Sequence, residues 1–166
     1  MLQPVRRRTW APRGQTPVQY SWDRHDRLSA VSAVTVAPVR RRMGLYFRLH
    51  SRNIRAAEVV AFLFRLHRHL PRRLIVILDR WNVHRKAVRV LQERGAGWLL
   101  PEWLPPYAPD LNPAEQVWNH AKYADLANFI PDDLADLDHA LRSSMAGQRN
   151  HPSLLRSYFH LAGLEL

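Results

Sequence analysis

The 166-residue sequence contains no cysteine, which excludes disulfide bridges and thiolate-ligated zinc but says nothing of compartment. It has no run of eighteen or more uncharged apolar residues, so no membrane span is expected. Its opening, MLQPVRRRTW, carries arginines with no apolar stretch behind them and therefore does not read as a secretory leader. Internal repeats and low-complexity tracts are absent as well. These absences lead us to expect a soluble protein that stays in the cytoplasm, where it is made. Acidic residues are scarce on one side of the chain only. Residues 1–100 hold 21 Lys and Arg against 5 Asp and Glu, a net +16, whereas residues 101–166 hold 4 against 9, a net −5. A field so divided favours a polyanion, and nucleic acid is the commonest one a basic domain meets. Lysine is nearly missing too: of the 25 basic residues 23 are arginine, a bias that GC-rich coding also produces.

What is present suits one domain with a real core, since 46% of the residues are hydrophobic. PVRRRTWAPRGQTPVQY reads as short extended pieces about a turn at Pro12 to Gly14. Leu28 to Val36 and Gly44 to His50 alternate like strands and form a plausible antiparallel pair. Asn53 is a candidate cap for a helix that Pro71 closes. LIVILD, Leu74 to Asp79, has the continuous apolar character of a central strand buried on both faces. A helix from about His84 to Arg94 follows, stopped by Gly95 or Gly97. WLLPEWL is a further strand that Pro101 confines to an edge or a bulge. Ala114, Val117, Trp118 and Ala121 mark the buried stripe of a third helix, and two more are expected, one with Leu134, Leu137 and Leu141 on its inner face and one opened by Pro152. Strands first, then alternation, then helices describe an α/β fold with a mixed sheet.

Two carboxylates stand out. Asp79 follows the most apolar strand, at the carboxyl end, where α/β sheets place ligands and chemistry, although helix capping would also explain it. Glu115 lies in LPPYAPDLNPAEQVW. With Asn112 as N-cap, Pro113 falls at the first helical position and Glu115 at the third, the arrangement of a capping box. The helix dipole favours an ionised carboxylate there, the state a hard cation needs. The prolines ahead of it restrict the backbone and leave the glutamate little freedom to lose.

LIVILDRWNVH followed by LPPYAPDLNPAEQVWNHAK resembles the catalytic core of DDE transposases from bacterial insertion sequences, the six-thirty family related to the mariner elements. RTWAPRGQTPV, Arg8 to Val18, resembles the segment just after that family's first catalytic acid. The resemblance implies a ribonuclease H-like (retroviral integrase-like) fold, a mixed five-stranded sheet flanked by helices. It makes Asp79 and Glu115 the second and third metal-binding, catalytic carboxylates. It implies two Mg²⁺ ions, or Mn²⁺ in their place, and phosphoryl transfer on double-stranded DNA, the element's ends and its target, in which a 3′-hydroxyl freed by hydrolysis attacks. His84 has the family's spacing from the acid, and Lys122, seven residues past Glu115, shares its helical face; with Arg80 and Arg85 these are the candidate DNA contacts. Asp110, Asn112 and Pro113 shape the loop near the site. Arg80 stands where the family often has Asn.

The family's first acid precedes the segment matched by Arg8 to Val18, and this sequence has no Asp or Glu before Asp23. Asp23 and Asp26 fall in a polar loop between strand candidates and are not expected to replace it. We therefore expect a transposase fragment whose first strand is missing, with residues 1–125 as an incomplete catalytic domain and 126–166 as a helical extension packed on it. Such a chain would bind DNA weakly, would not cut alone, and would self-associate through the uncovered sheet. A homodimer and an upstream-encoded N-terminal fragment are candidate partners, and the bacterial nucleoid the expected location. A non-catalytic DNA-binding remnant is the alternative. The nine histidines are scattered, with only His67 and His69 paired on a basic helix, so no dedicated zinc site is expected.

Overall fold

The computed structural model describes residues 7–8, 10–15, 17–18 and 28–165. Asp23 and Asp26 lie outside the described residues. Near the start, Gln15 N–H donates to the Pro12 carbonyl (3.0 Å) and Gly14 takes the left-handed φ of 83° that closes this turn.

Strands β1 (Ser29–Val36) and β2 (Met43–His50) pair antiparallel, Ser29 opposite His50 and Val36 opposite Met43. Helix α1 (Ala56–His69) starts two residues later than Asn53 would place it. Its N-cap is Arg55, whose N–H donates to the Glu58 carboxylate (2.9 Å), while Arg52 holds the other oxygen (3.0 Å). The charged side chain of Glu58 thus does the work expected of Asn53. Strand β3 (Leu74–Leu78), helix α2 (Asn82–Glu93) and strand β4 (Leu99–Trp103) follow, with β3 and β4 parallel. Pro101 sits within β4 opposite Val76. Because β4 has β3 as its one partner among the described residues, the missing N–H breaks no ladder on the other side. A 3₁₀ turn (Pro109–Leu111) leads to α3 (Pro113–His120), which runs on as a π-helical turn (Ala121–Asp125). Helices α4 (Leu134–Arg149) and α5 (Pro152–Leu161) complete the chain.

The fold is mixed α/β, but among the described residues the strands form two separate pairs, β1–β2 and β3–β4, in place of one five-stranded sheet. One core joins α1 (Val59, Phe62, Leu63, Leu66) and α2 (Ala87, Val88, Leu91) to inner residues of both pairs, Val31 and Ala33 of β1 and Leu74, Val76 and Leu78 of β3. A second joins the opposite face of the hairpin, Leu45 and Leu49, to Val117, Ala121, Leu141, Met145 and Leu155 from α3, the π turn, α4 and α5. The hairpin is therefore covered on both faces. β3 is not: Ile75 and Ile77 are 69% and 61% exposed, and Leu100 of β4 is also exposed. This corrects the expectation that β3 is buried on both sides. A continuous apolar run reports that no position tolerates charge, yet only alternate positions meet a helix here. Among the described residues no helix is long and apolar enough to cross a membrane.

Candidate active site

Because β3 and β4 are parallel, their carboxyl ends lie side by side, Leu78 opposite Trp103, and Leu104 N–H extends the ladder to the Leu78 carbonyl (2.9 Å). Asp79 leaves the first strand and the proline-rich loop leaves the second. Arg80 ties the two exits together, its Nε donating to the Leu104 carbonyl (3.0 Å). The loop then returns Glu115 to the same place. Asp79 and Glu115 line one cleft of about 390 Å³, together with Arg80, Trp81, Arg85, Tyr107, Asn112 and residues of the proline-rich loop.

Each carboxylate has a local structural reason for its position. Asp79 Oδ1 accepts from Trp81 N–H (3.0 Å), an Asx turn into α2, and lies 2.6 Å from His84 Nδ1. Asn112 is the N-cap of α3, its Oδ1 accepting from Ala114 N–H (3.1 Å), with Pro113 in the first helical position. Only half of the capping box forms. Asn112 N–H donates to the Pro109 carbonyl (2.9 Å), so it does not need the Glu115 carboxylate. No donor among the described residues reaches that carboxylate, which points into the cleft uncommitted.

The electrostatics of Glu115 follow from this position. Burial without a hydrogen-bond donor pushes its carboxyl above the usual carboxylate range, and the negative charge of Asp79 pushes it further the same way. These two effects outweigh the helix dipole, which alone would keep it ionised. A cation between the two acids would reverse both effects, replacing lost hydration and neutralising the repulsion. Oxygen-only donors of this kind fit a hard divalent ion such as Mg²⁺. The set is partial, since no cluster of three or more metal-ligating side chains occurs among the described residues.

The other candidate residues are distributed unevenly. Arg80 and Arg85 line the cleft. His84 is largely enclosed, 19% exposed, with its Nδ1 turned to Asp79. Lys122 does not line the cleft; it sits in the π-helical turn with its ammonium over the Tyr123 ring at 5.2 Å. The π turn changes the helical phase on which its seven-residue spacing from Glu115 relied. Asp110 is in the exposed 3₁₀ turn, outside the cleft lining. Trp81 and Tyr107 line the cleft and were not singled out from sequence, although an aromatic two residues after a strand-end acid and a tyrosine between prolines were visible signals. His67 stacks on Trp98 at 4.2 Å, while His69 stacks on Tyr46, so the two rings serve packing on different partners. α1 and α2 expose Arg65, Arg68, Arg85, Lys86 and Arg89, none of them in an ion pair among the described residues; of these Arg85 lines the cleft.

Comparison with known proteins gives a family and a fold. Residues 1–138 match the family model described as DDE superfamily endonuclease. No curated protein matches the chain. Among solved structures, the Mos1 strand transfer complex contains a chain that is 20% identical and superposes with a TM-score of 0.60 over 98% of this chain. The present chain spans 48% of that one, and at this identity the likeness establishes a shared ribonuclease H-like fold.

Proposed function

The chain belongs to the DDE superfamily endonucleases, and from that premise we propose that it is the catalytic part of a transposase of the six-thirty type, which cleaves and joins DNA in transposition of an insertion sequence. The observation that carries this reading is the convergence of Asp79 and Glu115, 36 positions apart in sequence, on one cleft at the carboxyl end of a parallel strand pair. Endonucleases of this superfamily generally use divalent metal ions. Here Asp79 and Glu115 would hold Mg²⁺, and the bound ion supplies activation of the attacking oxygen and neutralisation of charge on the reacting phosphate.

The chain's own residues supply the rest. Asp79 and Glu115 offer oxygens on rigid mounts, one on an Asx turn and one in the first turn of a proline-led helix. Arg85 lines the cleft without an ion-pair partner among the described residues and is the cation for a phosphate oxygen, while the exposed arginines of α1 and α2 add basic surface for the duplex. Residues 1–125 make up the catalytic unit and 126–166 brace it through the second core. The bacterial nucleoid is its place of action, and an exposed Ile75–Ile77 face favours self-association.

Two carboxylates are too few to ligate a pair of ions, so a further acid must come from outside the described residues, and an upstream-encoded polypeptide is the source we favour. The 166 residues alone then bind DNA and do not cut it. Purified chain should leave supercoiled DNA intact in Mg²⁺ or Mn²⁺, whereas co-expression with the upstream reading frame should restore nicking that Asp79→Asn and Glu115→Gln abolish. Nicking by the chain alone, lost in Asp79→Ala, would overturn the incompleteness. A restored complex whose nicking survives both substitutions would overturn the site. A non-catalytic DNA-binding remnant remains the second reading, favoured by the absence of a third clustered ligand among the described residues; it requires DNA affinity indifferent to Mg²⁺ and to Glu115→Gln.

A further inference from the structure

The geometry points to His84 as a positioning residue that fixes which oxygen Asp79 presents to a divalent cation, an inference that rests on the metal-binding reading of the cleft. Asp79 Oδ1 is engaged twice, by Trp81 N–H at 3.0 Å and by His84 Nδ1 at 2.6 Å. No donor among the described residues reaches Oδ2. The carboxylate is 45% exposed and the histidine 19%, so the ring is largely enclosed while the carboxylate keeps access to solvent. An ionised carboxylate only accepts, so Nδ1 carries the proton and the ring is held as the Nδ1–H tautomer. Charge-assisted contacts of this length are stronger than neutral ones, and they hold the carboxylate plane against rotation.

The ring is itself held. Its plane stands at 84° to Trp81, with centroids 5.4 Å apart, an edge-on contact that sets its rotation about the Cβ–Cγ bond. Trp81 therefore fixes Asp79 twice, through its backbone N–H and through the imidazole. The five-residue separation of Asp79 and His84 follows from this arrangement: an Asx turn after the strand, then the first turn of α2, brings position 84 back over position 79. His84 is thereby drawn away from the role of a direct DNA contact. Outer partners that orient a metal-binding side chain are typically worth 10–100-fold in metal affinity.

Mn²⁺ binding to the full chain, followed by electron paramagnetic resonance, tests this without any cleavage step. Asp79→Asn is the control for the site itself. His84→Leu should weaken Mn²⁺ about 10-fold or more, whereas His84→Asn, whose amide nitrogen occupies the Nδ1 position and can donate, should remain within about threefold. Imidazole ¹⁵N shifts of the metal-free chain should report His84 as the Nδ1–H tautomer. Unchanged affinity in His84→Leu, equal losses in both variants with a parallel fall in melting temperature, or an Nε2–H tautomer would each overturn the inference. Mn²⁺ affinity that is the same in wild type and Asp79→Asn would instead overturn the metal reading of the cleft, and the positioning role with it.

Discussion

Replacing Glu115 with Gln tests the electrostatics of the cleft apart from any catalysis. The wild-type carboxylate is half-buried, receives no hydrogen bond from the described residues and faces Asp79, so its carboxyl is raised above the usual range by burial first and by that charge second. The sign follows by linkage. A carboxyl raised in the folded state binds a proton more readily folded than unfolded; its contribution is most favourable below the ordinary carboxylate range and is lost as pH rises through the raised value. At neutral pH the ionised side chain therefore costs stability. An uncompensated polar group costs about 1–3 kcal/mol when fully buried. Half-burial and solvent screening reduce this to about 1 kcal/mol, or about 2–4 °C in melting temperature for a chain of this size. Glu115→Gln should thus melt about 2–4 °C above wild type at pH 7.5, and the gap should close as pH falls below the carboxylate range. Mg²⁺ should close it from the other side: at ten times its dissociation constant a bound ion adds about 1.4 kcal/mol to wild type and little to the variant. Thermal denaturation followed by circular dichroism, at several pH values with and without Mg²⁺, measures all of this. A variant less stable than wild type at pH 7.5 in the absence of divalent ions would refute the reasoning.

Three further outcomes follow from other parts of the molecule. Substituting Arg65, Arg68 and Arg89 together by Gln should lower the slope of log affinity against log salt for duplex DNA by about 2.7, at about 0.9 per phosphate contact; fluorescence anisotropy across a salt series checks it, and an unchanged slope would remove these arginines from the DNA surface. Gln148, 2% exposed, donates to the Val117 carbonyl and to Ser144 Oγ and accepts from Tyr158 O–H; the Val117 carbonyl also has Ala121 N–H and Ser144 also has Asp125, so Gln148→Leu should cost about 1–3 kcal/mol by stranding the Tyr158 hydroxyl; urea unfolding would show it. Ile77→Lys, on the open face of β3, should change stability by less than about 0.5 kcal/mol while reducing self-association in sedimentation velocity.

The elements were legible wherever one local signal decided them. Alternation set the β1–β2 hairpin, Pro71 and Pro152 bounded helices, and Asn112-Pro113 marked the start of α3 in both the residues and the structure. Signals that depended on distant partners were not legible. LIVIL cannot say which of its faces a helix will cover, because all five residues are apolar whether one side or two are buried. The cap of α1 moved from Asn53 to Arg55 because Glu58 recruits the backbone N–H and Arg52 together. The site divided in the same way. Asp79 and Glu115 were named by their settings at a strand end and a helix start, and the parallel pairing of β3 and β4 brings them into one cleft. Lys122 was assigned by α-helical phase, which the π turn at Ala121–Asp125 does not preserve. The hydrogen bond from His84 to Asp79 depends on an Asx turn, which spacing alone did not reveal.

In the proposed mechanism Asp79 and Glu115 share a divalent cation. Crystals of the chain grown with Mn²⁺, examined by anomalous scattering, test it most directly. A manganese peak in contact with Asp79 Oδ2 and a Glu115 carboxylate oxygen is the predicted result; manganese bound elsewhere, or held by one of the two acids without the other, would contradict it.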